Sequence, residues 1–160
     1  MIKIKTQIGN LLHVKEGHIV HGCNAQGVMG SGVALGVKRD FPQAFEAYTQ
    51  VYTKHGLQLG RAYPVLINSN LMIWNAVTQN LYGNSTRMVS YDAIATCFEA
   101  VNDFIKANEE TGTAHLREVH IPLIGAARGG GNWEIIREII EQTMDYPVTL
   151  WLPDSTVTTL

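Results

Sequence analysis

Only two cysteines occur in the 160 residues, Cys23 and Cys97, so no disulfide framework can be built and a reducing, cytoplasmic setting is expected. Charge is sparse as well. Asp, Glu, Lys and Arg make up 16% of the chain with a net charge of −2, and the pI near 6.3 offers no basic footprint for direct nucleic-acid binding. An anionic ligand would have to be held by backbone dipoles and a few side chains. No apolar run reaches the roughly 18 residues of a membrane span, and the N-terminus lacks the apolar stretch of a signal peptide, so no membrane partner is expected. The six histidines, at 13, 18, 21, 55, 115 and 120, form no His-Glu-x-x-His, and there is no Cys-x-x-Cys. No metal is therefore expected. The chain has neither Gly-x-x-x-x-Gly-Lys-Ser/Thr nor Gly-x-Gly-x-x-Gly, which argues against a kinase or a Rossmann dehydrogenase. No cofactor is expected.

What the chain does have is glycine in two concentrated places. The first follows Ile19-Val20, a short apolar strand, and runs through Gly22, Cys23, Asn24, Gly27, Met29, Gly30, Ser31 and Gly32 into the helical Val33-Ala34-Leu35. The second follows Val119-His120-Ile121 and runs from Pro122 through Ile124, Gly125, Ala126, Ala127, Arg128, Gly129, Gly130 and Gly131 to Asn132. Each stands just after a strand and just before a helix. A turn of this kind exposes unpaired N–H groups beside the positive end of a helix dipole, and glycine lets the backbone approach a ligand closely. Charge-assisted hydrogen bonds contribute about 1.5–3 kcal/mol each, so two or three such groups could hold a diphosphate without lysine. In an α/β sheet such loops gather at the carboxyl ends of the strands. Two of them there would form opposite walls of one cleft.

The remaining elements follow from period and punctuation. Residues 1–8 alternate as a half-exposed strand, broken by Gly9-Asn10 before the apolar Leu11-Leu12. A helix is expected from Gly32 to Phe41, and a second from Pro42 to His55, closed by Gly56. Arg61 to Ile67 and Leu71 to Val77 flank Asn68-Ser69-Asn70 as a hairpin, followed by a polar loop, residues 78–85, that includes Gln79 and Asn80. Ser90 caps a helix carrying Tyr91, Ile94, Ala95, Phe98 and Ile105. Trp133 to Met144 is a helix with Ile135, Ile136, Ile139 and Ile140 inward, and Pro147 starts a last strand, Val148 to Leu152. Strands alternating with helices indicate a single-domain α/β/α sandwich with a mixed, mainly parallel sheet over residues 1–160. A monomer is the starting expectation.

His21-Gly22-Cys23-Asn24 followed by Gly30-Ser31-Gly32-Val33-Ala34 resembles the Asn-…-Gly-Gly-Gly-Val-Ala pattern of macro domains, which bind ADP-ribose. Pro122 to Gly130 is similar to their second phosphate loop, and Gly9-Asn10 stands where many have Gly-Asp. The stand-alone branch with ADP-ribose 1″-phosphate phosphatases and the terminal ADP-ribose protein glycohydrolase is the most similar. The resemblance implies a macro fold with Gly9, Asn10 and Leu11 beside the adenine and Asn24 at the distal ribose. It also implies that Gly30 to Ala34 wrap one side of the diphosphate and Gly125 to Gly131, with Arg128, Gly129 and Gly130 among them, the other, and that Gly22, Cys23, Met29, Gln79 and Ile124 belong to the substrate-binding residues.

The chain departs from that family in three places. An aromatic residue or an aspartate is usual at the position of Gly129, the glycohydrolase's lysine falls near Gln79-Asn80, and Asn10 replaces an aspartate. Without the lysine and an assisting acid, a covalent glycosyl mechanism is poorly supported. Attack of water on a terminal phosphate needs only positioning and oxyanion stabilisation, and where a base assists, His21 is the nearest candidate. Arg128 suits a terminal phosphate. The expectation is an ADP-ribose 1″-phosphate phosphatase with Asn24 and His21 catalytic. The alternatives are a hydrolase of ADP-ribosyl esters or of ADP-ribosylated protein or nucleic acid, and a reader that binds without turnover.

Overall fold

The computed structural model describes residues 1–82, 88–127 and 129–154. Six strands form one sheet: β1 (Lys5–Ile8), β2 (Gly17–Asn24), β3 (Ala62–Asn68), β4 (Leu71–Gln79), β5 (Val119–Ile121) and β6 (Val148–Leu152). They lie in the order β1-β6-β5-β2-β4-β3, with every pair parallel except β3 with β4. The helices are α1 (Gly32–Asp40), α2 (Pro42–Lys54), α3 (Tyr91–Ala107) and α4 (Trp133–Thr143), and a 3-10 turn covers Leu11–His13.

The strands alternate their side chains between two apolar layers. Ile19, Cys23, Leu71 and Ile73 pack with Val37 of α1 and with Ala44 and Tyr48 of α2. Val20, Trp74 and Ile121 pack on the other face with Ile94 and Phe98 of α3 and Ile136 and Ile140 of α4. A sheet covered on both sides has interior strands that are apolar almost throughout, and the first eight residues of β4 are all buried. The expected α/β/α sandwich with a mainly parallel sheet is what the chain adopts.

Local punctuation acts where the sequence puts it. Pro42 opens α2 at its first turn, Gly56 follows α2 with φ of 75°, and the Ser90 side chain accepts from Ala93 N at the head of α3. In the hairpin turn Asn70 N donates to Asn68 Oδ1 at 2.8 Å. Three expectations need correction. The first strand begins only at Lys5, and all four of its residues, at one edge of the sheet, are exposed where alternation was expected. Thr78 and Gln79 belong to β4, with Thr78 buried. In α4, Ile136 and Ile140 point inward, whereas Ile135 is exposed, because a helix on one face of a sheet has a single apolar stripe.

Candidate functional site

β2 and β5 are neighbours, and all the parallel strands end on the same side of the sheet. The chain leaves β2 into α1 on one face and leaves β5 into α4 on the other. Adjacent strands whose connections part to opposite faces leave a crevice at their carboxyl ends, the place where α/β sheets bind ligands. Both glycine-rich loops border it. They meet at its floor, where a Cβ on Gly22 would stand 2.9 Å from Thr78 Oγ1 and 3.3 Å from Ile124 Cγ1.

The first loop is tied down from below. Asn24 Oδ1 accepts from Gln26 N at 2.9 Å, and Asn24 Nδ2 donates to Val28 O at 2.8 Å. The Tyr48 hydroxyl, buried on α2, lies 2.7 Å from Asn24 O and 2.9 Å from Asn24 Oδ1 and shares its one proton between them. Burial, chiefly, pushes the Tyr48 pKa up, so the hydroxyl remains a donor. Gly27, at φ of 77°, rests on the Tyr52 ring, which a Cβ would meet at 2.7 Å. The loop also reaches the chain after β4, where Ala25 N and Gln26 Nε2 both donate to Asn80 O, at 3.2 and 2.9 Å.

This frame ends in an open helix terminus. Ser31 is the N-cap of α1, its side chain makes no capping hydrogen bond, and Gly30, Ser31 and Gly32 are exposed. The first-turn N–H groups of α1 have no carbonyl partner within the helix, and they coincide with the positive end of its dipole. The second loop differs. α4 begins with a filled cap, Asn132 Oδ1 accepting from Glu134 N at 2.8 Å, and an acidic residue follows in its first turn. Its glycines serve internal contacts. Gly131 N donates to Gly125 O at 2.8 Å, Met88 N and Val89 N both donate to Gly129 O, and a Cβ on Gly129 would stand 2.7 Å from Gly125 O. The anion-attracting end therefore belongs to α1, and the second loop closes the opposite side with folded main chain.

The residues singled out from sequence separate into two groups. Gly9, Asn10, Gly30, Ser31, Gly32, Val33 and Ala34, with Gly125, Ala126, Ala127 and Gly130, remain accessible along the carboxyl edge. The side chains of Leu11, Cys23, Met29 and Ile124 are buried, so only their main chain can face a ligand. Gln79 Nε2 donates to Leu81 O. Arg128 lies outside the described residues.

His21 cannot be the base expected of it. It is fully buried on the α2 side of the sheet, where Nε2–H donates to Asn75 Oδ1 at 2.7 Å while Asn75 Nδ2 donates to Ala44 O. Burial lowers its pKa to about 4, against a smaller raising effect of the Asn75 bond. The ring holds β2, β4 and α2 together and has no path to the cleft. The Cys23 thiol is likewise pushed well up by burial. Asn24 is also revised. With Oδ1 taken by Gln26 N and Tyr48, and one Nδ2 proton by Val28, its main role is to shape the loop, and a single Nδ2 proton remains to be offered to a ligand. Tyr48 is the part that sequence reading missed. Nothing in the sequence sets it apart from the other aromatic residues of the Pro42–His55 helix, yet a buried tyrosine hydroxyl needs a polar partner.

A Macro domain family model matches residues 20–140. The chain belongs to the macro domain family. Over 140 residues it is 28% identical to a DNA ADP-ribosyl glycohydrolase of Thermus aquaticus, covering 86% of this chain and 36% of that protein, so it spans about a third of that relative's length. It is 24% identical over 159 residues to an ADP-ribose 1″-phosphate phosphatase of Saccharomyces cerevisiae, covering 84% of this chain and 89% of the other. A solved structure of a protein of unknown function from Bacteroides thetaiotaomicron superposes with a TM-score of 0.81 at 28% identity, covering 94% and 98% of the two chains. No helix among the described residues is long and apolar enough to cross a membrane.

Proposed function

We propose that the chain binds ADP-ribose along the carboxyl edge of the sheet and hydrolyses a substituent on its distal ribose. The observation that carries this reading is the uncapped N-terminus of α1, exposed between two glycine loops at the β2/β5 crevice. Its N–H groups suit a diphosphate, and the loop from Gly125 to Gly131 closes over the other side. The base lies beside Asn10 and the 3-10 turn, and the distal ribose lies toward Asn24 and Asn80. Relatives named for ADP-ribosyl hydrolysis and for ADP-ribose 1″-phosphate hydrolysis support the ligand and a hydrolase in general.

The reaction we favour is removal of the 1″-phosphate. Residues 22–34, 79–90 and 122–132, the loops after β2, β4 and β5, contain no lysine, aspartate or glutamate. A glycosyl transfer through a lysine or carboxylate nucleophile and a carboxylic general acid thus finds neither group in these loops, whereas phosphate release relies on positioning and oxyanion stabilisation. The second reading, release of ADP-ribose from modified DNA, is favoured by the higher identity to the Thermus aquaticus enzyme. Phosphate release from ADP-ribose 1″-phosphate, run beside ADP-ribose release from an ADP-ribosylated oligonucleotide, tests the choice. Turnover of the first alone is expected. Turnover of the second alone assigns the DNA reaction, and tight binding with neither turnover makes the chain a reader.

A further inference from the structure

β3 runs antiparallel to β4, so its first residues lie at the carboxyl end of β4, on the same edge as the cleft but two strands away from β2. The chain reaches this point from α2 through residues 55–61, and the segment is pinned. Gly56 turns it off the helix at φ of 75°. Gly60 N donates to Val77 O at 2.8 Å, Val77 N donates to Arg61 O at 2.9 Å, and Arg61 N donates to Gln58 O at 3.1 Å. A Cβ on Gly60 would stand 2.7 Å from Thr96 Oγ1, so the segment lies directly against α3. It borders two adjoining cavities. One, of about 370 Å³, is lined by Val51, His55, Gly56, Gln58, Arg61 and Tyr63. The other, of about 360 Å³, shares Gln58 and Arg61 and extends to Thr96 and Ala100 of α3.

The first cavity gathers donors without acceptors. The His55 ring, the Gln58 amide and the Arg61 guanidinium have no hydrogen-bond or ionic partner among the described residues. The Tyr63 hydroxyl accepts from Gln58 N at 3.2 Å, and its own proton has no acceptor among them. No carboxylate lines either cavity. Residues 47–91 contain no aspartate or glutamate at all, so this stretch of chain supplies Arg61 with no counter-ion.

We propose that this pocket binds a phosphate group, at a site separate from the ADP-ribose cleft and independent of that reading. The guanidinium presents a planar fork that pairs two oxygens side by side. The Tyr63 O–H, the Gln58 Nε2 protons and a His55 ring N–H are donors for the remaining oxygens. A carboxylate, with two oxygens, would leave most of these donors unpaired, whereas a tetrahedral phosphate has an acceptor for each. The C-terminal end of α2 opposes an anion with roughly half a charge, less than the full charge of Arg61, and His55 N and Gly56 N bond Val51 O and Tyr52 O there. The cavity beyond Arg61 leaves room for the organic part of an ester, so inorganic phosphate and the terminal phosphate of an ester both fit.

Amide shifts of the isotope-labelled protein, titrated separately with inorganic phosphate, phenyl phosphate and acetate at constant ionic strength, test this. Saturable shifts are expected in residues 55–61 with at least one of the two phosphates, and none with acetate. Inorganic phosphate as the tighter ligand identifies a free ion, and phenyl phosphate as the tighter one identifies an ester. Arg61→Gln keeps an amide donor but loses the charge. It should melt like the wild type, because the guanidinium has no partner to lose, and bind either phosphate at least about tenfold more weakly at residues 55–61. Shifts at Gly30 to Ala34 report the cleft and should persist in the variant, so the two sites are read apart. No saturation at residues 55–61 below about 10 mM phosphate, an affinity that Arg61→Gln leaves unchanged, or equal binding of acetate overturns the inference.

Discussion

Acidification from about pH 7 to about pH 5 should cost the folded state about 2 kcal/mol through one side chain, His21. Its imidazole is fully buried and bonded to Asn75, and burial holds its pKa at about 4. In the unfolded chain the ring titrates near 6.5. The folded value is the depressed one, so the unfolded chain takes up the extra proton as the pH drops below about 6.5. Stability is therefore complete above that value and is lost progressively as the pH falls toward 4. Linkage between these two values gives a loss of about 2 kcal/mol at pH 5 and about 3 kcal/mol at pH 4. Burial also lowers His18 and His120, each of which accepts an indole N–H at Nδ1, from Trp74 and Trp151 respectively, so they act in the same direction. Urea unfolding at the two pH values measures the total. His21→Gln keeps an N–H donor for Asn75 but does not titrate, and it should shrink the pH-dependent loss by about 2 kcal/mol. Equal wild-type stability at both pH values would refute the reasoning, as would an undiminished loss in His21→Gln.

Three further outcomes follow from the first loop. Tyr48→Phe removes the buried donor to Asn24 and should cost about 1–2 kcal/mol, read by calorimetry as a melting temperature lower by about 3–6 °C. Gly30→Val places its Cβ in tolerable contact with Val28 Cγ1 at 3.4 Å and demands no left-handed backbone. It should melt like the wild type yet bind ADP-ribose at least about tenfold more weakly, and unchanged affinity would move the diphosphate elsewhere. Gly32 is a poorer test of the same wall, because its φ of 61° strains any side chain. Asn24→Ala removes bonds to Gln26, Val28 and Tyr48 together. It should weaken ADP-ribose binding and lower the melting temperature together, and a fall in kcat alone would restore Asn24 as a purely catalytic group.

Much of the fold was legible because its signals are local. The i, i+3, i+4 stripe of α3, the proline opening α2, the glycine closing it and the amide-rich hairpin turn each depend on residues within a few positions of one another. The placement of the two glycine loops was legible to the same depth. Two glycine loops, each between a strand and a helix, announced a cleft, and the matching residues announced its family. The errors arose where a local pattern met a distant partner. Ile135 and Ile136 are equally apolar, and only the sheet beneath α4 chooses between them.

The sequence by itself determined the elements and the open, glycine-lined helix start of the first loop, since backbone conformation near glycine and the dipole of a following helix are short-range properties. Only the tertiary structure decided what the polar groups of that region do. His21 acts as a buried tie because Asn75 lies across from it on β4, 54 residues away. Asn24 acts as a loop brace because Tyr48 rises beneath it from α2. The second loop's glycines answer to one another and to Val89. A side chain's chemistry is written in its own residue, but its task depends on which partner satisfies it, and those partners meet only when distant segments pack.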